Sequence, residues 1–166
     1  MIRLSLVSRL APMIISALLC AGVFASGAAG ATDRTLLTVA SPDGRTVPFD
    51  RAALVALGPV TVETSTPWTE GVHRFVGAPL GAVLEAAGVE GEMLRAHALN
   101  DYSAEMPVAD TVARGAVLVW EMDGRALSIR DKGPLWILFD FDGDPAVRTD
   151  AYLSRSVWQL DRITVE

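Results

Sequence analysis

The sequence predicts an α+β domain: mixed sheets of short strands with a few short helices. Three observations carry that expectation. Strand-like runs are brief and separated by turn residues such as Pro42-Asp43-Gly44 and Asp123-Gly124. Helix-like runs are also brief, and they do not alternate regularly with strands as a parallel βαβ fold requires. The stretch Leu135-Trp136-Ile137-Leu138-Phe139 is continuously apolar, the pattern of a strand covered on both faces.

Taken in order, Leu36 to Ala40 and Arg45 to Phe49 read as strands around the first turn. Asp50 is placed to cap a helix over Arg51 to Leu57, which Gly58-Pro59 ends. Val60 to Thr64 is β-branched apart from Glu63 and reads as a strand, and Ser65 to Gly71 is a loop carrying Trp68. Pro79 opens a helix whose apolar face is Leu80, Val83, Leu84 and Ala87, and Gly88 stops it. Leu94 to Leu99 and Tyr102 to Met106 are strands flanking Asn100-Asp101. Ala116 to Met122 and Ala126 to Ile129 form a hairpin about Asp123-Gly124, the strongest turn signal in the chain. A short helical turn starts at Thr149 or Asp150, and Trp158 to Val165 is the last strand.

Ahead of this domain, residues 1–31 carry the layout of a cleavable signal peptide. Arg3 and Arg9 precede an almost wholly apolar run from Leu10 to Phe24, then small residues from Ala25 to Ala31. Ala29 and Ala31 occupy the small-residue positions of a cleavage site, so the mature domain is expected to span 32–166 and to act outside the cytoplasm, in the periplasm or beyond. The alternative is an uncleaved anchor, because no charge falls between Arg9 and Asp33. A spanning helix needs about 20 apolar residues, and here the strongly apolar part is shorter, its second half being Gly, Ala and Ser. No Arg-Arg pair marks a twin-arginine signal, and bulky Leu19 before Cys20 argues against a lipoprotein site.

Cleavage would change the chemistry available. The whole chain has a formal charge of −6; losing Arg3 and Arg9 takes its 14 cations to 12 against 20 acids, or −8. The one cysteine, Cys20, would leave with the leader. The mature domain then has no disulfide, no thiolate ligand and no cysteine nucleophile. Its acidity argues against nucleic acid and anionic membrane as partners, and no direct membrane insertion is expected after cleavage. About 135 residues suffice for one domain with a real core.

The order of motifs resembles the sulfite-oxidase-type molybdopterin-binding oxidoreductase domain. The resemblance rests on Phe75-Val76-Gly77-Ala78-Pro79-Leu80 with a short helix ending in Ala86-Ala87-Gly88-Val89, on Ala98-Leu99-Asn100-Asp101-Tyr102-Ser103 followed by Pro107 and Asp110, and on the Asp123-Gly124 hairpin leading into Gly133-Pro134-Leu135. It runs from about Val60 to Val165 and implies that family's fold. The departures bear on function. Active members hold molybdenum through a cysteine in a loop after a strand, upstream of the Phe75–Gly77 motif; here that region is Thr61-Val62-Glu63-Thr64-Ser65-Thr66-Pro67-Trp68. A hydroxyl is a harder and far less acidic ligand than a thiolate. Where the family usually has arginine after Gly-Pro-Leu, this chain has Trp136. The domain is also shorter than family enzymes. The resemblance further implies cofactor insertion before folded export, and this leader lacks that route's paired arginines.

Candidate site residues follow. Arg130, Lys132 and the backbone N–H of Gly133 suit a phosphate or carboxylate, beside Trp136; a hairpin end with charges paired through Asp131 is the plain alternative. The resemblance implies that Asn100, Asp101 and Tyr102 border the ligand cleft, although Asn and Asp also make ordinary turns. Trp68 in its Ser/Thr loop is placed to wall a pocket or to lid the core. Arg155 reaches a ligand or stacks on Trp158. His73 and His97 have no supporting motif, and Asp140, Asp142 and Asp144 fail the EF-hand pattern because Ala151 stands where its bidentate Glu belongs. No Gly-x-Ser-x-Gly, His-Glu-x-x-His, phosphate-loop or dinucleotide motif is present.

The expectation is therefore an exported, cofactor-free accessory module. It would hold a small anionic ligand or a periplasmic or membrane sensor protein, with no protein metal site. The alternative is a molybdopterin-dependent oxidoreductase with a non-cysteine metal site, Ser65 or Thr64 standing at the metal.

Overall fold

The computed structural model describes residues 34–166, so the expected leader lies outside the described residues. Two five-stranded sheets share one core. The first is built from β1 (Leu37–Ala40), β2 (Thr46–Phe49), β5 (Met93–Ala98), β6 (Ser103–Pro107) and β10 (Leu160–Val165), in the order β2-β1-β10-β5-β6. Its only parallel pair is β1 with β10. The second holds β3 (Val60–Ser65), β4 (Val72–Pro79), β7 (Val117–Met122), β8 (Arg125–Ala126) and β9 (Trp136–Leu138), with β7 pairing β4, β8 and β9. The helices are short: α1 (Arg51–Ala56), α2 (Leu80–Ala87), α3 (Val108–Ala113) and α4 (Asp150–Arg155). The fold is α+β, as the sequence predicts.

Local chemistry explains most boundaries. The Asp50 carboxylate accepts from the Ala53 N–H at 2.8 Å and starts α1. All four expected residues of α2, namely Leu80, Val83, Leu84 and Ala87, are buried, and Gly88 takes the left-handed conformation that ends it. Asp123 and Gly124 both have positive φ, 51° and 76°, as a tight hairpin turn requires.

The structure departs from the sequence reading in three elements. β4 has eight residues and lies at the centre of its sheet, yet Gly77 and Pro79 interrupt its alternation and hide it. α3 is a single six-residue stretch containing Val108, Thr111 and Val112, poor helix formers held by tertiary packing. The partner of β7 in the hairpin is only two residues long, not the expected Ala126–Ile129. Ser128 caps a 3₁₀ turn over Ile129–Asp131 and draws the chain out of extension.

One segment joins the sheets. β9 is wholly buried, and the chain around it bonds to the approach to β10: Ile137 N–H to Val157 O and Leu160 N–H to Leu135 O, both 2.9 Å. Trp136 and Trp158 face each other across an isolated bridge. The loop after β3, the β5–β6 turn and the end of α4 are the elements that build the site.

Gly77 has a packing role. A Cβ there would overlap the Leu118 carbonyl and crowd the Val119 Cα of β7, where the β4–β7 register shifts. Backbone cannot yield as a side-chain tip can. Gly77→Ala is expected to cost about 1–3 kcal/mol, read as a lower urea midpoint at unchanged slope.

Candidate functional site

The loop after β3 is set by its own hydroxyls. Thr66 Oγ1 accepts from the Trp68 N–H at 3.2 Å and shares a 2.8 Å hydrogen bond with Thr69 Oγ1. This fixes Trp68 at the hub of an aromatic cluster. Its ring lies edge-to-face with Trp158, Trp136 and Phe141, at centroid distances of 5.4, 5.8 and 6.1 Å. Trp68 and Trp158 stay half-buried, whereas Trp136 is completely enclosed.

Two further walls face this cluster. In the β5–β6 turn, Asp101 has φ 66°, and Asn100 Oδ1 accepts from the Tyr102 N–H at 3.2 Å. The Tyr102 hydroxyl donates to Ser154 O at 2.8 Å, tying the turn to α4. The last wall is Leu153 to Trp158, apart from Arg155. Together with Pro67, Trp68, Asn100 and Tyr102 it encloses a recess of about 320 Å³. No Lys, Arg, His, Asp or Glu is among its lining residues.

The structure therefore joins three of the expected site residues, Trp68, Asn100 and Tyr102, and places the others elsewhere. Asp101 belongs to the turn but not to the recess lining. Trp136 is core, so it lines no open cleft; its Nε1 is buried without a hydrogen-bond partner among the described residues. Lys132 sits over the Trp136 ring at 5.7 Å, and its carbonyl accepts from the Gln159 N–H. Arg130 is exposed. The N–H of Gly133, expected to be free for an anion, donates to Ser128 O at 2.7 Å. Arg155 stacks on Tyr152, not Trp158, and bonds Asp110 at 2.9 Å, while the buried Tyr152 donates its hydroxyl to the same carboxylate. That network holds α4 to α3.

Thr64 and Ser65 are engaged as well. Asp142 accepts from the Ser65 N–H at 2.6 Å and from its hydroxyl at 2.8 Å, and the Asp142 N–H donates to Thr64 Oγ1 at 3.0 Å. Arg148 pairs with the same carboxylate. The Ser65 N–H and hydroxyl, with Arg148, hold the Asp142 carboxyl below the usual range. The acidic turn is thereby committed: Asp140 accepts from the Gly143 N–H, and Asp144 pairs with Arg114. Sequence reasoning set these acids aside as a failed calcium loop and missed Asp142 as the partner of Ser65. It also missed the wall from Leu153 to Val157. Neither has a local motif, because each depends on contacts about eighty or fifty residues apart in sequence.

These positions decide how the fold relates to known proteins. Residues 51–139 match the profile of the oxidoreductase molybdopterin binding domain. The chain belongs to this family. Among solved structures this member of the family is similar to the sulfane dehydrogenase SoxCD from Paracoccus pantotrophus, with a TM-score of 0.60 and 17% identity. The match covers 80% of this chain but only 38% of that one, and at this identity it speaks for the fold. No curated protein matches.

The residues of this domain do not fit the family's cofactor. No cysteine stands among the described residues, and Ser65 and Thr64, the hydroxyls expected at the metal if one were held, are bonded to Asp142. No described cluster of His, Cys, Asp or Glu is arranged to hold a metal ion.

His73 closes the far end of the Trp68 loop. Its Nδ1 lies 2.6 Å from Asp123 Oδ2 and its Nε2 2.9 Å from Glu70 O, both acceptors. Only the imidazolium donates to both. The Asp123 carboxylate, with help from the Glu70 carbonyl, raises the pKa of His73 above its ordinary 6.5. A raised folded-state value means the contribution to stability is full below the unfolded pKa and is lost as pH rises through the folded one. His97, on β5, meets Thr164 Oγ1 at 3.2 Å, and burial lowers its pKa. Urea midpoints measured from pH 5 to 9 should fall through the upper part of this window in the native protein. In His73→Gln that portion of the fall should disappear.

Proposed function

We propose that this domain is an exported accessory module that works without the molybdenum cofactor and holds a ligand in the Trp68–Tyr102–Trp158 recess. The observation carrying this reading is the state of the position where family enzymes present a thiol. Ser65 and Thr64 are tied to Asp142, and that pairing leaves neither hydroxyl available without breaking an ionic hydrogen-bond network. The leader pattern supports export, and the acidic balance of the mature domain accords with a role away from nucleic acid.

The recess also refines the kind of ligand. The small anion expected from Arg130 and Lys132 has no counter-charge in the recess, whose polar groups are neutral. A neutral or cationic group is the better match to walls that are mostly aromatic and aliphatic. An accessory module of this kind would report its occupancy to a partner protein such as a membrane sensor.

Protein purified from its native compartment is expected to begin near Thr32 and to contain neither molybdenum nor pterin in stoichiometric amount. N-terminal sequencing, metal analysis and pterin fluorescence measure these. Stoichiometric molybdenum would end the cofactor-free reading, and Ser65→Ala would then show whether the hydroxyl holds it.

A further inference from the structure

Three aromatic side chains, Trp68, Tyr102 and Trp158, line the recess. The Trp68 and Trp158 ring planes meet at 69°, making a corner. Tyr102, 46% exposed, also lines the recess and is held by its hydroxyl bond to Ser154 O. Both indoles are half-buried, so each keeps surface for a ligand.

The charges around this corner narrow the ligand further. The lining has no cation to repel a positive group, and the nearby arginines are each committed to a carboxylate, Arg155 to Asp110 and Arg148 to Asp142. The lining also has no carboxylate, so a primary ammonium would lose its hydration without replacing its hydrogen bonds. A quaternary ammonium has no N–H to satisfy. Its charge is spread over methyl groups, which aromatic faces attract directly. The negative balance of the chain, −6 over its whole length, adds a field that draws cations toward it.

We propose that the recess binds a small quaternary or fully methylated organic cation, seated in the Trp68–Trp158 corner against Tyr102. The proposal rests on the cofactor-free ligand-holding reading above and names its ligand class. Asn100 and Ser154 at the recess would meet a polar substituent of the ligand.

The test compares choline with 3,3-dimethylbutan-1-ol, which has the same shape but carbon in place of the charged nitrogen. Both are titrated into the mature protein by calorimetry and by proton NMR. Choline is expected to bind at least roughly ten-fold more tightly than the alcohol, with its methyl resonance shifted upfield by the indole rings. Trp158→Leu, which keeps apolar volume but removes a ring, should weaken choline by a similar factor. Should that variant fail to fold, the comparison on the native protein still decides. Equal or tighter binding of the alcohol would overturn the cation proposal and leave a plain apolar recess, with the ligand-holding reading intact. No binding of either compound would overturn it as well. Recovery of molybdopterin from native protein is the separate result that would sink the reading beneath it.

Discussion

Asp142 governs what this site is able to do. Its carboxylate takes two hydrogen bonds from Ser65 and an ion pair from Arg148, while its own N–H binds Thr64. The end of β3 is thus fastened to the segment after β9, across more than seventy residues of chain. The same bonds that hold the Asp142 carboxyl ionised also use up the hydroxyls of the loop. The junction of β3 and its loop is a closed polar clamp. The clamp leaves the neighbouring Thr66–Trp68 turn free to serve a different purpose, since its conformation is set by its own threonines.

Trp68 then links core and surface. Its edge contacts reach Trp136, which is completely buried and packs in turn on Phe75 at 5.6 Å. Its other side meets Trp158 at the recess. Aromatic pairs of this geometry contribute about 0.5–1.5 kcal/mol each beyond their buried area, so the recess wall is packed directly against the core. His73 and Asp123 add a second restraint on the same loop through Glu70 O. A preorganised wall loses little conformational freedom when a ligand arrives.

How legible this was in the sequence varied with the range of the interaction. Elements whose signals are local were readable: the Asp50 cap, the Gly88 stop, the Asp123-Gly124 turn and the buried run at Trp136–Leu138. β4 was not, because its Gly77 answers to the backbone of β7 and not to its neighbours in sequence. The site followed the same rule. Asn100 and Tyr102 sit in a turn with a recognisable pattern, and Trp68 stands out in a Ser/Thr loop. The neutrality of the recess was hidden, because the sequence shows Arg130, Lys132 and Arg155 as cations near aromatic residues. Only the fold shows that none of them lines the recess and that Arg155 is matched to Asp110.

The recess draws on both halves of the domain. Pro67, Trp68, Asn100 and Tyr102 come from the loop after β3 and the β5–β6 turn; Leu153 to Trp158, apart from Arg155, come from the end of α4 and the segment after it. The recess is thus built from residues far apart in sequence, brought together by the fold. The scaffold needs its sheets and the β9 core to fold, and none of those contacts depends on a thiol or a cofactor. The loop after β3 is held by Asp142 at its start, by its own Thr66–Thr69 bonds and by His73 through Glu70 O, and the segment after α4 supplies an aromatic partner for it in Trp158. Fold alone does not assign an activity. In this domain Ser65 and Thr64 are bonded to Asp142, and the side chains that line the recess are uncharged and mostly aromatic or aliphatic.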